Sequence, residues 1–251
     1  MKVQLIRNAT LKVQYAGQTL LIDPMFSPKF TFDPFAGKSR NPTTNLPLSV
    51  EDILQDVDAV LVTHTHPDHF DALAIEKIDK HLPLFCQPAD VEFMHQQGFK
   101  NVKVVDDKAE WNDIQLYRTH GFHGSGEVLK HMGTVSGFVL RTDREPTLYI
   151  VGDCIWTEEI SNQIDEYKPA VIIANTGGAI LPTFADTPIL MDEQQAISLI
   201  QYTEAKVIAV HMESLDHCET SREGLKRALK KNNISEERVY IPPDGEIIVL
   251  E

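Results

Sequence analysis

Cysteine is scarce. The chain has three, Cys86, Cys154 and Cys218, an odd number with no CxxC spacing. That excludes a disulfide framework as the source of stability and suits a reducing compartment. Long apolar runs are missing too. Nothing approaches the roughly 20 residues of a membrane span, and the opening Met1-Lys2-Val3-Gln4-Leu5-Ile6-Arg7 lacks the apolar core of a signal peptide. A cytoplasmic protein with no membrane partner is expected. Basic residues are in deficit: 23 Lys and Arg stand against 37 Asp and Glu, a formal charge of −14. This argues against nucleic acid as a partner. It leaves room for a small anionic substrate, because bound dications would reverse the local sign. There is no repeat at a solenoid period and no low-complexity segment. The Gly177-Gly178 pair lacks the lysine and helix context of a phosphate loop.

What is present fits one large domain, 1–251. The 251 residues are 42% hydrophobic and 24% charged, enough for an ample core. Three short strands, 3–6, 11–15 and 19–22, read as an antiparallel meander ending at Asp23-Pro24. Asp23 is either a turn-initiating residue or a carboxylate that orients a ligand histidine by hydrogen bonding. The irregular stretch 25–47 carries Pro28, Pro34, Pro42 and Pro47 together with Phe26, Phe30, Phe32 and Phe35. Loops this long are unusual unless functional or disordered, and the aromatics argue against disorder. A lid or pocket wall is expected, the alternative being a loop that covers one edge of the fold; Lys29, Lys38 and Arg40 are the cations here that an anionic substrate could meet, although each singly is more often just solvated. Beyond it, strands at 58–62, 83–86, 102–105, 114–118, 136–141, 147–151, 170–174 and 206–210 mostly alternate with helices, as a helix-flanked sheet requires. The helices are expected from Ser49, and at 71–78, 88–97, 156–167, 192–202 and 221–231. Two last strands, 239–241 and 247–250, read as a closing hairpin around Pro243-Asp244-Gly245.

The chemistry concentrates in Thr63-His64-Thr65-His66-Pro67-Asp68-His69, directly after the buried strand Asp58-Ala59-Val60-Leu61-Val62. Ligands at the end of a buried strand sit where α/β folds place their sites. In an extended chain His64 and His66 point to one side. Pro67 then forces a turn, so Asp68 and His69 arrive from another direction. One ion cannot easily take all of them, which suggests two adjacent metals. Imidazole and carboxylate suit Zn²⁺, Mn²⁺ or Fe²⁺. Two further histidines, His120 and His123, lie in a Gly-rich loop that lets backbone approach a bound group. His217 has an intrinsic pKa near neutrality and is a candidate substrate-binding group or general acid. Asn175 and Thr176, at the end of a buried strand, read as pocket-lining.

The HxHxDH pattern resembles the metallo-β-lactamase superfamily. Gly152-Asp153 and His211, each after a strand, stand in the order that family requires. Leu21-Ile22-Asp23-Pro24 and Asp216-His217-Cys218 look like the branch that includes L-ascorbate-6-phosphate lactonase and uncharacterised metal-dependent hydrolases. The resemblance implies a four-layer αββα sandwich of the α/β (α+β) class. It implies that His64, His66 and His123 hold a first divalent metal, that Asp68, His69 and His211 hold a second, and that Asp153 bridges them. His123 is preferred to His120 because its His-Gly-x-Gly-Glu run looks like the family's ligand loop. The activity implied is hydrolysis of an ester-like bond in a lactone, ester or phosphoester by a hydroxide shared between the metals, with Asp68 orienting it or accepting a proton. The contrasting expectation is a noncatalytic metal- or ligand-binding protein of the same fold. The expected partner is a small molecule; the oligomeric state is not legible.

Overall fold

Side chains that point alternately to the two faces of each strand build two sheets that share one core. In the computed structural model, which describes residues 1–250, β1 (Lys2–Arg7), β2 (Thr10–Tyr15) and β3 (Gln18–Ile22) form the expected antiparallel meander. A short α1 (Val50–Leu54) leads to β4 (Ala59–Val62), which pairs parallel to β3. Then follow α2 (Ala72–Lys77), β5 (Leu84–Cys86), α3 (Val91–Gln96) and β6 (Val102–Val104). The second sheet opens with β7 (Lys108–Trp111) and β8 (Ile114–His120) and passes through α4 (Leu129–Met132) to β9 (Ser136–Thr142) and β10 (Glu145–Ile150). It continues with α5 (Glu158–Tyr167), β11 (Val171–Asn175), α6 (Glu193–Tyr202), β12 (Lys206–Val210) and α7 (Arg222–Lys231). The chain closes with β13 (Val239–Tyr240) and β14 (Ile247–Val249).

The sheets each have seven strands, ordered β14-β1-β2-β3-β4-β5-β6 and β13-β12-β11-β10-β9-β8-β7. Successive strand side chains point to opposite faces. In β4, Ala59 and Leu61 therefore enter the core between the sheets, while Val60 and Val62 pack outward with Ile53, Ala74 and Met94 of α1, α2 and α3. In β11, Val171 and Ile173 face inward, while Ile172 and Ala174 meet Ile160 of α5 and Leu199 of α6. Helices thus cover both outer faces, which is the four-layer αββα arrangement. Side chains cap the helices where the sequence offers them: Ser49, Asp71, Asp192 and Ser221 each accept from a backbone N–H in the first turn.

The terminal hairpin is a correction. β13 pairs parallel to β12 in one sheet, and β14 pairs antiparallel to β1 in the other. The segment between them crosses the sandwich, because Ile248 belongs to the core between the sheets and Val239 to the outer cluster. Local turn chemistry cannot reveal that separation. The expected helix 88–97 starts as a 3-10 turn at Pro88–Asp90 and becomes α-helical only from Val91.

Strand direction places the chemistry. β1, β3, β4, β8, β10, β11 and β12 all run the same way within their sheets, so their C-terminal ends gather at one edge. Among the described residues no helix is long and apolar enough to cross a membrane.

Candidate metal centre

Seven side chains converge at that edge. His64, His66 and His123 form one group; Asp68, His69, Asp153 and His211 form a second, with ligand-type atoms in each group lying within 4.8 Å of one another. Asp153 joins the two. Its Oδ2 lies 3.1 Å from His69 Nε2, 3.4 Å from His123 Nε2, 3.7 Å from His211 Nε2 and 3.9 Å from His64 Nε2. Asp68 Oδ2 approaches His211 Nε2 at 3.2 Å. His123, not His120, enters the cluster. His120 is exposed beside Arg118 at the end of β8 and does not line the pocket.

Behind the seven, hydrogen bonds fix the rings of His64, His69, His123 and His211. Asp23 accepts from His69 Nδ1 at 2.8 Å and from both the N–H and the hydroxyl of Thr63 at 2.7 Å. The Thr63 hydroxyl, having donated to Asp23, stands 3.1 Å from His64 Nδ1 as an acceptor. One carboxylate therefore turns the Nε2 atoms of both His69 and His64 into the cluster, directly and through Thr63. His123 Nδ1 donates to the Ile189 carbonyl at 2.7 Å, and Asn175 Nδ2 donates to Asp153 Oδ1 at 2.6 Å. Asn8 Nδ2 holds the Asp68 carbonyl, and Cys218 Sγ lies 3.6 Å from His211 Nδ1. Asp23 and His211 take positive φ, +45° and +63°, where each strand turns into the site. At Gly152, φ is +73° and a Cβ would stand 2.7 Å from the Ser136 carbonyl oxygen, so only glycine delivers Asp153.

The electrostatics call for a cation. His64, Asp68, His69, His123, Asp153 and His211 are all buried. His64 Nε2 and His66 Nδ1 are 3.0 Å apart, and His69 Nε2 and His211 Nε2 3.2 Å apart. In each pair at most one nitrogen can donate to the other, and the carboxylate oxygens among them only accept. Burial pushes His64 well below its usual value, with His69 adding to the effect. At His69 burial opposes protonation, but Asp153, Asp68 and Asp23 outweigh it and raise the imidazole to about 10. Burial disfavours the ionised form of Asp153, yet His69 and His211 hold it far below the carboxylate range. The shifts at His69, His211 and Asp153 share one direction: the carboxylates favour positive charge among them. A divalent cation in each group satisfies the converging lone pairs and neutralises the carboxylates, so the donor set fits two metals.

A pocket of about 380 Å³ opens onto the centre. His66, Asp68, His123 and Asp153 form its floor; Phe35, Met132, Leu181, Ile189 and His217 are among its walls. The 25–47 loop does supply a wall, and it is a fixed one. The buried Arg7 guanidinium donates to the carbonyls of Met25, Ser27 and Thr44, and Asp71 accepts from Ser27 N. The loop's cations are committed elsewhere: Lys38 pairs with Glu219, Arg40 with Asp33, and Lys29 lies over the Phe30 ring. None lines the pocket, which corrects the expectation that they meet substrate. Asn175 and Thr176 are corrected too: Asn175 stands behind Asp153, and Thr176 bonds the Val210 carbonyl. Met132, Thr63, Asn8 and Cys218 were not singled out from sequence for these places. Only Cys218, beside His217, carried a local hint.

Residues 18–212 match the model of the beta-lactamase superfamily domain. The chain belongs to the beta-lactamase superfamily. Within it, the UPF0173 protein YddR of Bacillus subtilis (strain 168) is 38% identical over 98% of both chains. Two solved structures superpose along the whole chain and over 99% of their own. One, from Veillonella parvula DSM 2008, is described as a possible metal-dependent hydrolase, with 40% identity and a TM-score of 0.95. The other, from Delia radicum gut bacteria, is described as an isothiocyanate hydrolase, with 36% identity and a TM-score of 0.93. By this kinship the chain belongs to a family of metal-dependent hydrolases.

Proposed function

We propose that the protein hydrolyses small neutral electrophiles at two divalent metal ions, and that isothiocyanates are its substrate class. The observation that carries this reading is the chemistry of the pocket. It meets the metal centre, its walls are mostly apolar, and it contains no Lys or Arg. Beyond the metal ions themselves, the walls would offer the oxyanions of a phosphoester no cation. The 36% identical isothiocyanate hydrolase structure supports the particular class.

His64, His66 and His123 would hold one ion, Asp68, His69 and His211 the other, and Asp153 both. The nitrogen and oxygen donors suit zinc, manganese or iron. When bound, two such ions lower the pKa of water and polarise an electrophile. The remaining work falls to side chains. Asp68 belongs both to the centre and to the pocket floor; its carboxylate orients the attacking water and accepts a proton from it. Burial pushes the His217 imidazole down to about 4, so at neutral pH it is uncharged. It acts as a hydrogen-bonding group toward a substrate heteroatom, not as a cationic acid. Water adds to the N=C=S carbon, placing its oxygen on carbon and one proton on nitrogen to give a thiocarbamic acid; the C–N bond then breaks as the remaining proton passes from sulfur to nitrogen, releasing an amine and carbonyl sulfide. Carboxylic esters and lactones, which present a comparable neutral electrophilic carbon, are the second reading. The three cysteines are free, in keeping with a cytoplasmic setting, and the partner is a small molecule.

The test offers metal-loaded protein benzyl isothiocyanate, a neutral benzyl ester, a lactone and a phosphodiester at equal concentration. Amine release from the isothiocyanate is expected to be fastest, at least about 100-fold above phosphodiester cleavage. Turnover of the phosphodiester alone would contradict the proposal.

A further inference from the structure

Phe35 is an anomaly. It is a half-buried aromatic ring that belongs to none of the buried hydrophobic clusters, yet it lines the pocket beside the metal centre. Its ring meets His217 edge to face, with centroids 5.3 Å apart and planes at 89°. What holds it is one carboxylate. Asp216 accepts from the backbone N–H of Phe35 at 2.9 Å, Ala36 at 3.1 Å, Lys38 at 3.0 Å and Ser39 at 3.3 Å. Asn41 completes the ring of donors: its Nδ2 donates to Asp216 Oδ1, and its Oδ1 accepts from Asp216 N, both at 2.8 Å. Loop backbone that would otherwise be hydrated is thus folded around an anion adjacent in sequence to His217.

We infer that Asp216 is a positioning residue: by gathering the amides of Phe35, Ala36, Lys38 and Ser39 it fixes Phe35 as the specificity wall, so that the site selects ligands carrying an apolar substituent. Asp216 itself does not line the pocket, so it acts through Phe35 and His217. Phe35 offers an apolar face, and Lys38, whose backbone is in the nest, sends its ammonium away to Glu219. The inference rests on the reading of the seven-residue cluster as a metal centre, but on no particular substrate.

The experiment compares the metal-loaded full chain with Phe35→Ala and Asp216→Ala. The probes are two metal-binding hydroxamates that differ in their substituent, acetohydroxamate and benzohydroxamate. The wild type is expected to bind the benzo compound about tenfold more tightly, as burial of a phenyl ring implies. Both variants should bring that ratio to within about twofold through weaker binding of the benzo compound, with metal content unchanged. Amide hydrogen exchange at 35–39 should accelerate at least about tenfold in Asp216→Ala and not in Phe35→Ala. Unchanged exchange in Asp216→Ala overturns the inference. So does a retained ratio despite faster exchange, or loss of metal from Asp216→Ala. Because none of these arms reads turnover, a wild type inert toward isothiocyanates would sink the substrate proposal alone. A wild type that binds neither metal nor hydroxamate would sink both.

Discussion

Asp23 stands apart from the seven converging side chains, yet its oxygens hold Thr63 and His69. Asp23→Ala is expected to lower metal affinity about 10–100-fold, the usual effect of losing a residue that orients a ligand. Competition with a calibrated chelator measures it; affinity within about twofold of wild type would contradict the assignment. Asp216 makes a prediction about pH. Burial disfavours its charge, but Asn41 and the amides of Lys38, Ser39 and Ala36 outweigh that and hold its pKa below the usual 3.8. Its folded-state pKa is thus lower than its unfolded one, so its stabilisation is present above the unfolded value and lost as pH falls through the folded one. The stability gap between wild type and Asp216→Ala, from urea midpoints, should be constant between about pH 7 and 5 and narrow below about pH 4. A gap that widens in acid would contradict this. At this scale the sequence showed unevenly. His64 to His69 were legible because six contiguous residues carry their own geometry. His123, Asp153 and His211 needed the family resemblance. Asn175 was misplaced because a strand-end residue can face the pocket or the back of a ligand, and spacing does not say which.

At the scale of elements, parallel strands decide where ligands meet. Leu61 in β4 is fully buried between the sheets, two residues before the turn that carries His64. Leu61→Ala is expected to destabilise the protein by about 2–5 kcal/mol, through lost transfer energy and the cavity left behind. Equilibrium unfolding checks it; a change under about 1 kcal/mol would show that the inter-sheet core tolerates the loss. The β4–His64 unit was legible because an apolar run followed by polar residues has one sensible reading. The closing strands were not. Val239–Tyr240 and Ile247–Val249 flank a turn sequence that suits a hairpin, and only long-range pairing shows that they extend opposite sheets. β7 escaped notice because it has only four residues, Lys108–Trp111, and none is fully buried, although they alternate exposed and half-buried.

For the molecule as a whole, two sheets and their helices serve to bring together groups that repel one another in the absence of a cation. Buried carboxylates and facing imidazole nitrogens oppose folding unless something positive lies among them. The αββα layering was legible from strand–helix alternation combined with the HxHxDH resemblance. The pocket's neutrality was not, because Lys29, Lys38 and Arg40 are near it in sequence, and only the folded loop shows Lys29 over the Phe30 ring and Lys38 and Arg40 in ion pairs. Metal analysis of the purified protein and of Asp153→Ala, after saturation with zinc or manganese and removal of excess, tests the central claim most directly. About two ions per wild-type chain are expected, with occupancy of both positions falling in the variant because one carboxylate serves both. A wild type that takes up no metal, or an Asp153→Ala chain that keeps its full complement, would contradict it.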